Sequence, residues 1–199
     1  MEDFDNIPHF LRESKKLGQM RVVVGGLSVE GRKESYNEMI LRTLESGKVI
    51  RPVHAKFLTI PTKLGYGKKP SQIPGLFRPK GKNILCTSVD GELQVYYILK
   101  DHVVIPPRPF LRDPFHLNAG TKWQNLVDRD LGRLLDDEHF TARMLYADLG
   151  RQMVRDVKKA FITMMPRDAP ITAERKGNDQ PLIDTGTLLN SIDWRVEDV

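Results

Sequence analysis

One stretch limits the fold of this chain more than any other: Ile105-Pro106-Pro107-Arg108-Pro109-Phe110-Leu111-Arg112. Its three prolines fix φ and remove backbone donors, so neither a helix nor a central strand can run through it. Each residue before a proline is pushed to extended geometry. The result is a stiff connector between two different kinds of sequence. Short strands and turns precede it, and a mostly helical pattern follows. Two readings suit the residue types. In one, the stretch is a rigid link with Phe110 plugging the core. In the other, Arg108, Phe110 and Arg112 alternate along a preordered rod and act as anchors of an assembly surface.

Hydrophobic residues make up 40% of the 199 residues and charged residues 29%, which is enough apolar material for a core. The net charge of +5 is compatible with a nucleic-acid neighbour but does not demand one. The single cysteine, Cys86, has no partner for a disulfide, which fits a reducing compartment. The N-terminus is acidic and lacks an apolar signal core, and no apolar run reaches membrane-spanning length. These features predict assembly in the cytoplasm with no membrane partner.

The pattern predicts an α+β fold: an antiparallel β-sheet or meander flanked by helices, with long C-terminal helices. Residues 1–20 read as a helical arm, with Phe4, Ile7, Phe10, Leu11 and Leu17 near helical period and Gly18 as the stop. Residues 21–199 read as one domain: strand-rich over 21–105, the connector at 105–112, helical over 113–192, and a terminal strand over 193–199. Within it, Gln19–Gly26 is a strand around Val22–Val24 that ends in a Gly25-Gly26 turn. Glu34–Ser46 is an amphipathic helix ending at Gly47. Strands follow at 54–61, 75–79, 83–88 and 93–99, with Asp90-Gly91 as the clearest hairpin signal. Asp113 and Pro114 suit a helix start, and helices are predicted over 115–135 and 140–165. Residues 166–181 read as a polar loop. Asp184 suits the N-cap of a last helix, and Trp194–Val196 suits a strand pairing with Val22–Val24.

No catalytic constellation emerges. The five histidines are scattered without an i,i+4 pair. Asp136-Asp137-Glu138-His139 is the densest set of potential metal ligands, but adjacent helical residues do not face one another. Asp184-Thr185-Gly186 matches the catalytic triplet of retroviral aspartic proteases in letters. Here a helical continuation follows it, which a cap explains. No cofactor motif is present. The basic residues Lys63, Lys68, Lys69, Arg78, Lys80 and Lys82 fall in one loop and hairpin region, interleaved with Tyr66 and Phe77. They read either as a DNA-facing surface or as solvated hairpin tips.

The connector resembles the IPARPFLR signature of tailed-bacteriophage neck and tail-completion proteins, the group that includes the Mu-type virion morphogenesis and head–tail joining proteins. Pro107 stands where that family often has Ala. Upstream, Ala55-Lys56-Phe57-Leu58-Thr59-Ile60-Pro61 is similar to the family's AKFLTIP strand, with Leu76-Phe77 and Gly81–Leu85 in the place of its hairpin. Downstream, Leu182–Ile192 is similar to its closing L-DTG-L-NSI segment. These markers keep the family's order from about residue 36 onward, and residues 1–20 have no counterpart.

The resemblance implies a non-enzymatic virion protein: a homo-oligomeric ring joining the phage head connector to the tail tube or tail terminator, with viral DNA passing through its lumen. The implied assembly interface is Pro106, Arg108, Pro109, Phe110 and Arg112 with Asp184, Thr185 and Leu188. A tail terminator, and a DNA-associated module acting outside a particle, are the alternatives.

Overall fold

The computed structural model describes residues 6–27, 33–168 and 170–199. In chain order the elements are α1 (Ile7–Leu17), β1 (Met20–Gly26), α2 (Glu34–Ser46), β2 (Lys48–Ile50), β3 (Leu58–Pro61), β4 (Ile84–Val89), β5 (Glu92–Lys100) and β6 (Val103–Ile105). Then come α3 (Arg112–Asn118), α4 (Lys122–Asp136), α5 (Ala142–Thr163), α6 (Pro170–Lys176), α7 (Thr187–Ser191) and β7 (Ile192–Asp198). The fold is α+β, and every strand pairing is antiparallel. From sequence, 21–199 reads as one domain. In the structure the chain gathers into two compact units, and the proline connector carries it from one to the other between Pro107 and Arg108.

The first unit holds residues 1–46, 108–167 and 180–199. Its two-stranded sheet joins the two ends of the chain, with Val22 opposite Val196, Val23 opposite Arg195 and Val24 opposite Trp194, as the terminal strand pattern predicts. Helix α5 packs on this sheet. Gly150 permits that approach, because a Cβ there would lie 2.7 Å from the Trp194 ring. Leu145, Val154, Val157 and Phe161 recur at helical spacing and form the buried stripe of α5. Leu41, Phe110, Val157, Phe161, Leu182 and Ile192 make the main core. Full burial of each such side chain contributes about 1.5–3 kcal/mol.

Helix α1 is not a free arm. The Glu13 carboxylate accepts the Ala142 N–H at 3.1 Å, and the Tyr146 hydroxyl donates to the Leu17 carbonyl at 2.8 Å. His9 Nε2 donates to the Phe140 carbonyl at 2.8 Å, since a carbonyl can only accept. Phe10 and Leu17 pack against a second core of Leu134, Phe140 and Leu145. Phe4 and Asp5, at the predicted start of this helix, lie outside the described residues.

The second unit holds residues 47–107 and 168–179. Strands β3, β5 and β4 form one sheet in that order, and β2 pairs with β6 in a short ribbon. Asp90 (φ 52) and Gly91 (φ 82) close the β4–β5 hairpin in the left-handed region, as that dipeptide favours. The loop from 62 to 74 folds onto the sheet. The Tyr97 hydroxyl donates to the Lys68 carbonyl at 2.7 Å, and a Cβ on Gly65 would meet the Tyr96 carbonyl oxygen at 2.2 Å. Only Cys86, Tyr97 and Leu99 are buried hydrophobics among this unit's described residues.

Several expectations change. Gly25 and Gly26 continue β1 rather than turning, and a Cβ on Gly26 would crowd Leu41 Cδ1 at 2.6 Å and Asn37 Cβ at 3.0 Å. Residues 75–79 make a single bridge, Phe77 to Cys86, instead of a strand. The predicted 115–135 helix is two helices, because the backbone breaks at Thr121 (φ −134, ψ −97). Helix α3 starts at Arg112 with Leu111 as its cap, so Asp113 and Pro114 lie inside it. The 166–181 loop contains α6.

Candidate functional site

The connector resolves its two readings residue by residue. Phe110 is fully buried and packs edge-on to Phe161, with ring centroids 4.9 Å apart. It is therefore a core plug and not an exposed anchor. The alternation predicted for Arg108, Phe110 and Arg112 fails because the extended geometry ends where α3 begins. The Arg108 N–H donates to the Leu44 carbonyl at 2.9 Å, and its guanidinium donates to the Pro166 carbonyl at 2.9 Å. Arg112 is exposed, with Glu45 3.7 Å from its guanidinium. Pro106 is exposed, and Pro109 is half-buried.

Glu45, which sequence reasoning passed over, organises this region. Its two carboxylate oxygens accept the Leu111 N–H at 2.9 Å and the Arg112 N–H at 3.1 Å. It thereby satisfies two donors that the start of α3 would otherwise leave unpaired. An acid in the last turn of an amphipathic helix, where the macrodipole disfavours it, was the signal that could have found it.

Pro109 lines a cavity of about 580 Å³ with Pro114, Leu117, Lys122, Lys159 and Met165. Leu117 is 73% exposed and Met165 63%, so its rim is apolar and open. In its lining, Asp156 receives hydrogen bonds from Lys122, Trp123 and Gln152 at 2.6, 2.8 and 3.0 Å. Burial pushes this carboxyl up, but those three donors and the Lys122 charge take it below the usual carboxylate range.

Asp184, Thr185 and Leu188 do come together. They line a cavity of about 320 Å³ with Ile40, Leu44 and Leu182. Asp184 is not the cap of α7. Gly186, at φ 78, turns the chain just ahead of Thr187, which leaves the exposed Asp184 two residues outside the cap position. The Thr185 hydroxyl instead pairs with the Thr187 hydroxyl at 2.8 Å. In the Asp136–His139 corner, the Asp137 carboxylate accepts the His139 N–H and closes the turn after α4. Among the described residues, no three His, Cys, Asp or Glu side chains gather as a metal ion would require.

The basic residues divide. Lys63 is ion-paired with Glu174 at 3.1 Å. Lys68 lies 5.7 Å from the centre of the Tyr96 ring. The Lys69 N–H donates to Gln72 within a short 3₁₀ turn. Arg78 donates to the Lys82 carbonyl at 2.9 Å and to Asn83 Oδ1 at 2.8 Å, and its guanidinium lies 4.7 Å from the Phe57 ring centre. Lys80 and Lys82 are exposed in the turn beside it. Lys56 and Lys100 belong to the same neighbourhood and escape a sequence reading, because they sit on other strands or their approaches.

No family model matches the chain, and neither a curated protein nor a solved structure matches it.

Proposed function

We propose that this chain is a structural protein of a tailed-phage neck, forming a homo-oligomeric ring that joins the head connector to the tail and lets DNA pass. The observation that carries the reading is the division of charge. The second unit has 12 Lys and Arg against 6 Asp and Glu, which leaves 19 against 20 in the first. The whole positive excess of the chain therefore sits on the strand-rich unit. The well-packed first unit, close to neutral, is suited to protein contacts. Head-to-tail contacts close into a ring when the rotation permits, and the ring then repeats each basic surface around its axis. The ordered likeness of three segments to the neck family points the same way. Among the described residues, no helix is long and apolar enough to cross a membrane.

The test is electron microscopy of a lysate from phage lacking this gene. DNA-filled heads beside separate, finished tails are the expected result. Tails of uncontrolled length would instead assign the terminator role, and normal infectious virions would sink the neck reading.

A further inference from the structure

The cations of the two units differ in what they touch. In the first unit five sit against carboxylates, Arg21 on Glu197, Arg42 on Glu38, Lys122 on Asp156, Arg133 on Asp148 and Arg195 on Glu34, all within 3.2 Å, while Arg108 lies on the Pro166 carbonyl. In the second unit, Lys63 and Lys176 have such partners, Glu174 and Asp168. Arg78 does not. Its partners are a carbonyl, an amide oxygen and the Phe57 ring, and Lys56 Nζ lies 5.7 Å from the centre of that same ring. A carboxylate cancels a cation's charge, whereas a carbonyl or an aromatic face orients it and leaves the field outside largely intact.

Strand register brings these cations together. Leu58 lies opposite Lys100 and Ile84 opposite Ile98, and the Leu99 N–H donates to the Asn83 carbonyl at 2.8 Å. The start of β3, the start of β4 and the end of β5 thus share one end of the sheet. Lys56, Arg78, Lys82 and Lys100 fall there, and Lys80 sits in the turn that leads into β4. One acid, Asp101, lies nearby; it is exposed, with the His102 ring 3.0 Å away, and it stands against five cations. Asp90 and Glu92 stand at the opposite end, in the hairpin.

We propose that this end of the three-stranded sheet is a contact surface for the phosphate backbone of duplex DNA. Lys56, Arg78, Lys80, Lys82 and Lys100 are its phosphate-facing cations, and Phe57 is the neutral bracket that holds two of them. The surface rests on the neck reading for its place in a particle, but not for its chemistry. The Phe57 ring already has Arg78 4.7 Å and Lys56 5.7 Å from its centre, and clustered cations favour contact with the backbone, which carries no sequence information. Phe77, 43% exposed, is the adjacent ring that could stack a base, so both strand states are compared in the test.

The experiment is fluorescence anisotropy of the full chain with a labelled random-sequence duplex across a salt series. Removing one phosphate-facing cation should lower the slope of log affinity against log salt by about 0.9. The Lys80→Gln/Lys82→Gln/Lys100→Gln variant is expected to lower that slope by about two to three. Arg42→Gln, which removes an ion-paired cation of the first unit, is expected to leave the slope unchanged. Phe57→Leu keeps an apolar side chain but removes the ring, and should weaken duplex binding about two- to five-fold. Circular dichroism confirms that each variant is folded. An unchanged slope in the triple variant, tighter binding to the single strand than to the duplex, or competition by polyglutamate equal to that by DNA would each overturn the proposal. If the deletion lysate yields normal virions while this slope change holds, the neck reading falls and the DNA surface stands.

Discussion

The two units use the same residue types to opposite ends. The first unit buries Phe110, Phe140 and Phe161 in its core, and pairs Arg21, Lys122 and Arg133 with carboxylates. The second buries little beyond Cys86, Tyr97 and Leu99, and holds cations against rings and carbonyls without cancelling them. The first arrangement favours stability, because buried apolar area and satisfied charges both oppose unfolding. The second favours an external field at the expense of a core. Lysine and arginine counts alone do not separate these uses; the partner of each cation does.

The sharpest way to break the comparison is at the first unit's core. Phe110→Ala removes a fully buried ring and its edge-on packing against Phe161, and should cost about 3–5 kcal/mol in chemical denaturation. A cost near that of an exposed residue would mean that the connector does not seal the core.

Glu13 tests the neutralised charges of the same unit. Burial raises its carboxyl, but the hydrogen bond from Lys16, the Ala142 N–H and the charges of Lys16 and His9 bring it below the usual value. A carboxyl held low in the folded state adds stability above its unfolded pKa, and this is lost as pH falls through the folded value. Stability should therefore decline as pH drops below the ordinary glutamate range. Glu13→Gln should flatten that decline and cost about 2 kcal/mol at neutral pH through the weakened bond to the Ala142 N–H.

In the second unit, Gly65→Ala places a Cβ against the Tyr96 carbonyl and should cost about 1–3 kcal/mol. Hydrogen exchange should show the 62–74 loop lifting while the amides of α5 stay protected. Loss of protection in both would show the two units to unfold as one.

Glu45→Gln keeps the shape of the α3 cap but removes its charge, and about 1 kcal/mol is expected, read from the melting curve. Lys80→Gln and Lys82→Gln should each change stability by less than about 0.5 kcal/mol, since both side chains are exposed and have no carboxylate partner among the described residues. A large loss there would make them structural and remove the contrast between the units.

The chain by itself determined whatever depends on local chemistry and strong periodicity. Asp90-Gly91 closes a hairpin because few dipeptides tolerate two left-handed residues in succession. Glu34–Ser46 and the apolar stripe of α5 are helices because their burial repeats every three to four residues. Val22–Val24 and Trp194–Val196 were legible as partners because each is a β-favouring run at one end of the chain.

Only the tertiary structure decided the rest. Strands β2 and β6 are three residues each and exist through their pairing, not their propensity. Gly25-Gly26 looks like a turn until the two residues are seen to continue β1, with Gly26 close to Leu41 and Asn37. Asp184 looks like a cap until Gly186 turns the chain ahead of it. Phe110 could have faced a partner or the core, and only its packing against Phe161 shows which. Of the candidate basic residues, sequence proximity grouped six. Strand register and pairing instead removed Lys63, left Lys68 and Lys69 with Tyr96 and Gln72 in the 62–74 loop, brought in Lys56 and Lys100, and set a group of five at one end of a sheet. Register and pairing are long-range properties, so no local pattern encodes them.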